Sequence, residues 1–341
     1  MASAMLEFRT PGYNPYAVKY SPYYDSRIAV SAAANYGIVG NGRLFILGLG
    51  PAGIQLEKGY DTNDALYDLA WSEINENQLV VASGDGSVKL YDLVTSGDFP
   101  VMNFVEHKRE AFSWSPSRPT SIKTFPVGTC TYSACFSPHN PNLISCVSSD
   151  SNIRIYDLRS PVSAKYHLTT VIPAHAPPVT PVGVLAALAN GQTYAGAVPS
   201  EILTHDWNKY RDTVVAAAGV DRLVRTFDIR NPTGGPLSIL MGHEYAVRRL
   251  AWSPHASDVL ASASYDMTVR VWSDGSAAMP PAPSQPPVIQ LGQQLGLMNR
   301  HAEFVTGVDW CLFGSGGWLA SAGWDQRVLV FDAHTLLPPV L

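Results

Sequence analysis

Short runs of alternating apolar and polar residues recur along most of this chain, and they come back in one order. The clearest run spans Met241–Trp272 and reads MGHEYAVRRLAWSPHASDVLASASYDMTVRVW. It holds a Gly-His pair, an alternating segment, a Ser-Pro turn, a second segment ending in small residues, an Asp turn and a third segment closing on Trp. A period of two over runs this short predicts β-strands rather than helices. Leu250, Trp252, Leu260 and Ala261 supply the apolar surface of the first two strands, and Val269, Val271 and Trp272 that of the third.

The turn and third strand repeat as DGSVKLYD from Asp85, DSNIRIYD from Asp150, DRLVRTFD from Asp221, DMTVRVWS from Asp266 and DQRVLVFD from Asp325. A degenerate first copy reads NGRLFILG from Asn41. Such self-similarity predicts an all-β propeller, whose blades are four-stranded sheets of roughly 40–45 residues each. The whole chain, 1–341, reads as one such domain.

Taken in order, Leu6 to Thr10 reads as a latch that pairs with the final blade, because an unpaired edge strand invites association. The first blade covers about 13–53, with Gly40-Asn41-Gly42 in place of the Asp turn. The second covers about 61–93, with Thr62-Asn63-Asp64 where Gly-His is expected. The third is irregular. FVEHKREAF from Phe104 reads as the start of a blade with His107 in the His position, yet only 65 residues separate Asp92 from Asp157. That spacing is too long for one repeat and too short for two. We expect seven blade positions with the third truncated, or alternatively six blades. The fourth blade begins near Gly128, and the fifth at IPAH with His175 in the His position. A patternless segment, 176–200, interrupts the fifth and reads as a loop insertion. The sixth is the run quoted first. A Pro/Ala/Ser-rich linker, Ser273 to Pro287, follows and overlaps a second insertion, 276–297, also read as a loop; the seventh blade spans His301–Asp332.

Composition narrows the function classes. The formal net charge is −5 with both signs interspersed, which does not support a nucleic-acid footprint. No run of apolar residues is long enough to span a membrane, and the N-terminus carries no secretory pattern. The cysteines Cys130, Cys135, Cys146 and Cys311 make no C-x-x-C pair and have no zinc spacing, so neither a metal nor another cofactor is expected. G-x-S-x-G and G-x-x-x-x-G-K-[ST] are both absent. His175 and Asp206 could be drawn as a catalytic dyad, but both stand at regular repeat positions. The chain therefore reads as a non-enzyme.

The repeat resembles the WD-repeat family, in which a His, a small hydroxyl residue, the Asp and the Trp form a buried hydrogen-bond chain. The matching residues here are His243, Ser262 or Ser264, Asp266 and Trp272. Four longer stretches go further: YNPYAVKYSPYYDSRIAVSAAANYGIVGNGRLFIL, LYDLAWSEINENQLVVASGDGSVKLYD, VIPAH with DWNKY and VDRLVRTFDIRNP, and GHEYAVRRLAWSPHASDVLASASYDMTVRVW. With them the chain is similar to the peroxin-7 family, receptors for the type-two peroxisomal targeting signal. Its shortened third unit and its two insertions depart from the family core. The resemblance implies a cytoplasmic import receptor that cycles to the peroxisome. It would bind a basic N-terminal amphipathic helix on cargo proteins, work with a co-receptor, and deliver to a peroxisomal docking complex without inserting into the membrane.

Loops before each first strand and turns after each second strand emerge on one face of a propeller. The residues there that stand outside the core pattern are Tyr36, Asp64, Glu110, Glu244, Tyr245, Tyr265, Glu303, Phe304 and Trp324. Carboxylates there would steer Arg or Lys, and rings would cover an apolar stripe, which is the helix-in-groove mode. Each also admits a plain reading, as a solvated loop charge or as packing between blades. A substrate adaptor or assembly scaffold built on the same repeats is the alternative function.

Overall fold

The computed structural model describes residues 5–38, 40–105, 111–113, 123–125, 127–161, 168–174, 200–276, 289–314 and 316–336. The chain divides into two compact units. One holds Met1–Phe125, Met267–Val269 and Met298–Leu341; the other holds Pro126–Asp266 and Arg270–Leu297.

The first unit contains three four-stranded antiparallel sheets. The first sheet runs in sequence order through Asn14–Tyr20, Arg27–Ala33, Gly42–Gly50 and Gly53–Thr62. The second runs through Leu66–Trp71, Gln78–Ser83, Val88–Asp92 and Met102–Phe104. The last contains Val305–Trp310, Trp318–Gly323 and Arg327–Asp332. Its outer edge is completed from the other end of the chain by Leu6–Arg9, which pairs antiparallel with Arg327–Val330. The latch expected from the sequence is therefore present. A paired fork from the Arg327 guanidinium to the Glu7 carboxylate, at 3.1 and 2.7 Å, fastens it. The same hydrogen bonds hold the Glu7 carboxyl below its usual range.

The second unit contains the fourth sheet (Thr131–Phe136, Leu143–Ser148, Asn152–Asp157, Leu168–Pro173) and the fifth (Ile202–Trp207, Val214–Gly219, Val224–Asp228, Ser238–Leu240). It also holds most of the sixth (Val247–Trp252, Val259–Ser264, Val269–Ser273, Gln293–Met298). A two-residue strand, Gln290–Leu291, adds to the fifth sheet in parallel with Ser238–Ile239 before the chain enters the sixth.

The first and fifth sheets bury both faces of their second strands, which explains the small residues there. In Arg27–Ala33, Ile28 and Val30 join one core with Phe45, Leu47, Val328 and Val330, while Ala29 turns to another with Leu44, Tyr60, Leu66, Leu79 and Tyr91. Val215 and Ala217 likewise pack against Val147, Ile155 and Trp207, whereas Ala216 and Ala218 pack against Leu250, Leu260 and Trp272. Sheets stacked on both sides leave room for little more than a methyl group at such positions. Carboxylates then staple neighbouring first strands. Asp309 accepts the Tyr20 amide at 2.9 Å and Lys19 at 2.7 Å, and Asp206 accepts the Trp252 amide at 2.7 Å and Lys209 at 2.8 Å.

Two expectations need correction. The stretch 276–297 is not one loop: Gln290–Leu291 and Gln293–Met298 are strands, and the latter is the outer strand of the sixth sheet. Its alternation, with Gly296 and Met298 inward, was masked by the Pro-rich residues before it. Phe104 does not begin a third blade but ends the outer strand of the second sheet. At the third position the described residues form one hairpin, Ala111–Ser113 with Lys123–Phe125. His107, His175 and the segment 176–199 lie outside the described residues.

Candidate functional site

The site is built on two recurrent features at one end of the strands. The first is the pairing of first and second strands, which shifts register at the same place in each full sheet: between Pro15 and Ala17, Leu66 and Asp68, Thr131 and Ser133, Ile202 and Thr204, Val247 and Arg249, and Val305 and Gly307. A bulge bends the strand and re-aims the side chains beside it. The second, in the sheets after the first, is a backbone hydrogen bond closing the loop. The residue before the turn Asp donates to the residue before the bulge: Trp324 to Phe304 at 2.9 Å, Tyr265 to Ala246 at 3.0 Å and Gly84 to Ala65 at 2.7 Å. Phe304, Ala246 and Ala65 are thus equivalent positions, as are Trp324, Tyr265 and Gly84.

Below this rim lie the buried polar chains. His243 Nδ1 is 2.7 Å from the Asp266 carboxylate, His243 Nε2 is 2.6 Å from Ser262 Oγ, and Trp272 Nε1 donates to that hydroxyl at 2.8 Å. A carboxylate cannot donate, so Nδ1 carries the proton and Nε2 accepts from Ser262. Burial pushes the His243 imidazole below its ordinary value, against the pull of Asp266, which keeps it neutral. Ser262, not Ser264, is the chain member; the Ser264 hydroxyl donates instead to the carbonyls of Tyr245 and Ala246. The last sheet repeats the chain through His301, Asp325 and Ser321, with Phe331 where Trp stands in the sixth. Although burial opposes it, the hydrogen bond from His301 holds the Asp325 carboxyl below its usual range.

A variant joins the fourth and fifth sheets. His205 Nε2 lies 2.7 Å from Ser145 Oγ and 3.1 Å from Cys135 Sγ, and Trp207 Nε1 donates to Ser145 at 2.7 Å. Complete burial brings His205 down to about 4. Asp206 is committed to Trp252 and Lys209, which is a structural use.

In the first unit, which holds the His301 chain, the structure gathers an aromatic cluster. Trp324 lies 5.4 Å from Tyr36, 5.5 Å from Tyr16 and 5.4 Å from Phe304, and Tyr16 lies 5.1 Å from Tyr67 in an edge contact. Three sequence candidates, Tyr36, Phe304 and Trp324, therefore meet in one place. Tyr16 and Tyr67 were missed because they sit inside strands and read as core. The signal was their position at the bulge, where a strand residue turns toward the loops.

Tyr36 is held there against local preference. Asn35, Tyr36 and Gly37 have φ of 48°, 57° and 69°, and only the last is a glycine. Left-handed backbone costs each of the other two about 1–2 kcal/mol. Buried Asn14 offsets it by accepting the Tyr36 amide at 3.0 Å while donating to the Trp324 carbonyl at 2.7 Å. The Tyr16 hydroxyl donates to the Tyr36 carbonyl at 2.7 Å. The outcome is a Tyr36 ring leaning on Trp324 yet 49% exposed, beside Tyr67 at 37%. Strain of this kind gathers at ligand clamps.

The remaining candidates fall on separate loops. Half-buried Asp64 lies in the loop before the second sheet, docked on the glycine turn after Tyr36 by the Asn41–Asn63 hydrogen bond at 2.9 Å. Glu303 is exposed beside Phe304. Glu244, Tyr245 and Tyr265 belong to the sixth sheet in the second unit, where Glu244 and Tyr245 are exposed and Tyr265 is half-buried. Glu110 lies outside the described residues.

Repeated sheets with a His–Ser–Asp chain under a loop rim define a WD-repeat β-propeller protein. The family described as "WD domain, G-beta repeat" matches residues 119–157, 234–273 and 292–332. Full-length relatives are more specific. The chain is 36% identical to the peroxisomal targeting signal 2 receptor of Komagataella phaffii, over 97% of this chain and 100% of the relative. It is 33% identical to that of Mus musculus, over 99% of each, and 35% identical to peroxisome biogenesis protein 7 of Arabidopsis thaliana, over 96% of this chain and 98% of the relative. The chain belongs to the peroxisomal targeting signal 2 receptor family. No helix of the described residues is long and apolar enough to cross a membrane.

Proposed function

We propose that this chain is a receptor for the type-two peroxisomal targeting signal, and that the signal helix lies on the aromatic cluster. The observation that carries the placement is the strained, half-exposed Tyr36 propped on Trp324 by Asn14 and Tyr16. Rings already ordered lose little entropy when a helix covers them, so they act as anchors. Tyr36, Phe304 and Trp324, with Tyr16 and Tyr67, would cover the apolar stripe. Asp64 and Glu303 would face its Arg or Lys residues, while Glu244, Tyr245 and Tyr265 offer the same chemistry on the sixth sheet, and Glu110 completes the set of carboxylates. The whole chain would work as one WD-repeat domain, acting in the cytoplasm with a co-receptor and cycling to a docking complex at the peroxisome.

The test is fluorescence anisotropy of a labelled peptide bearing a basic amphipathic signal, with and without co-receptor. An Arg-to-Glu signal peptide should bind at least about tenfold more weakly. Charge reversal of Asp64 and Glu303 together should lower the on-rate and flatten its salt dependence. Equal binding of both peptides would overturn the reading, and unchanged binding in the double variant would remove these carboxylates from the face.

A further inference from the structure

The sheets that carry the aromatic cluster hold a second concave site at their opposite ends. Strand Asn14–Tyr20 brings Tyr16 to the cluster and Tyr20 to this site, roughly 13 Å further along at about 3.3 Å per residue. Strand Trp318–Gly323 likewise starts at the site and ends beside Trp324. The site is a cavity of about 370 Å³ between the first and last sheets, walled chiefly by Leu6, Leu49, Phe313, Trp318 and Val330. That volume lies within the range of pockets that take a ligand, roughly 300–1,000 Å³.

Its chemistry is unlike a leftover gap in packing. Tyr20 and Cys311 line it, and both are held in their neutral forms: burial, before any other cause, raises each above its ordinary value. Asp25 is then the one formal charge in the lining, an exposed carboxylate in no ion pair among the described residues. The apolar surface does not stop at the walls. Leu312, next to the wall residue Phe313, is 46% exposed, and Phe313 itself is 37% exposed. An occupant longer than the cavity would therefore gain contact outside it, which favours a chain segment over a free small molecule.

We propose that this cavity is a docking site for a partner protein's short apolar segment carrying one Lys or Arg, separate from the signal-binding face. The apolar side chains would fill the space against Trp318 and Phe313, and the cation would sit at Asp25, where charge complementarity sets its direction. The site works at the far ends of the strands, so a partner can sit there while the other face is engaged.

Two variants and one probe test this on the full chain. Gly50 lines the cavity, has no heavy atom within 4 Å of where its Cβ would be, and is not in left-handed backbone. Gly50→Leu therefore adds an apolar side chain to the lining with no clash at its Cβ, and Asp25→Lys reverses its charge. The probe is the peptide Leu-Leu-Arg-Leu-Leu-amide carrying fluorescein on its N-terminal amine, with the Arg-to-Glu peptide as control, read by anisotropy. Thermal melting is run on each variant. We expect the Arg peptide to bind the wild-type chain and the Glu peptide to bind at least about tenfold more weakly. Each variant should lose about tenfold or more toward the Arg peptide, with an unchanged melt and unchanged affinity for a type-two signal peptide. Equal binding of the two peptides, or undiminished binding in both variants, overturns the proposal. So does loss of signal-peptide binding in parallel, since the two sites would then not be separate. Binding of the probe that Trp324→Ala abolishes and these variants spare would place it on the other face and also overturn it.

Discussion

The sixth and last sheets are built on the same scaffold and differ in what they present above it. In both, a His reaches the turn Asp and the small hydroxyl residue of the second strand, at 2.6 to 3.0 Å. In both, the residue after the His donates its amide to that Asp: Glu244 at 3.1 Å and Ala302 at 3.0 Å. The loop-closing hydrogen bonds also match. Yet Ala246 in one sheet is Phe304 in the other, and Tyr265 in one is Trp324 in the other. The larger pair meets ring to ring at a 42° tilt, and Tyr36 and Tyr16 join it. In the sixth sheet Tyr245 instead stands 60% exposed. The scaffold fixes where a loop residue emerges, and the residues at two equivalent positions set how much ring surface stands there: Ala246 with Tyr265 in one sheet, Phe304 with Trp324 in the other.

This comparison can be broken first at its buried chains. His243→Ala leaves Asp266 without its imidazole donor and the Ser262 hydroxyl without an acceptor, and with Ser262 unanchored the Trp272 link weakens too, so about 3 kcal/mol of stability should go. His301→Ala removes a chain without the Trp link and should cost about 2 kcal/mol. Urea denaturation of both variants checks the order, and equal losses would mean that Trp272 adds nothing.

Acid should sharpen it next. His243 and His205, both in the second unit, have folded-state values held below the unfolded one, so the unfolded chain binds more protons at mildly acidic pH. Their contribution is complete above about pH 6.5 and is lost as pH falls from there toward about 4, the value for His205. His205 alone accounts for up to about 3 kcal/mol by this linkage. Melting temperature followed across that window should fall steeply in the wild type and less in His205→Gln. Parallel curves would contradict the burial argument.

The rim comes third. Trp324→Ala should weaken a labelled signal peptide by about 2 kcal/mol, some thirtyfold, whereas Tyr265→Ala should cost about threefold. Similar losses would mean the ring cluster is no special anchor. The smallest effect concerns the turns. Met267 follows the turn Asp with φ of 66°, where the second sheet uses Gly86 at 80°. Met267→Gly relieves left-handed strain and should stabilise by about 0.5 kcal/mol; Gly86→Ala should destabilise by about 1 kcal/mol. Thermal melts of the two should move in opposite directions.

The repeats, the latch and the buried chain of the sixth sheet were legible because each depends on local spacing. An alternating strand, a turn Asp and a His at a fixed distance carry their own geometry, so the positions of Leu6–Arg9 and His243 follow from residue order alone. The fourth strand of the sixth sheet was not legible, because Gln293–Met298 follows a Pro-rich stretch and outer strands, packed on one side, show weak patterns. That Tyr16 and Tyr67 join the aromatic cluster was not legible, because a strand tyrosine looks the same facing a core or a loop until the bulge is seen.

By itself, then, the chain determined an all-β repeat fold, a family and a set of loop positions, since backbone pairing and burial follow from local pattern. Which rings meet at Trp324, which hydroxyl joins His243 and where Asp25 overlooks a cavity were decided only in three dimensions. Those contacts join residues as far apart as Tyr16 and Trp324, and no spacing along a sequence encodes the angle at which two sheets stack.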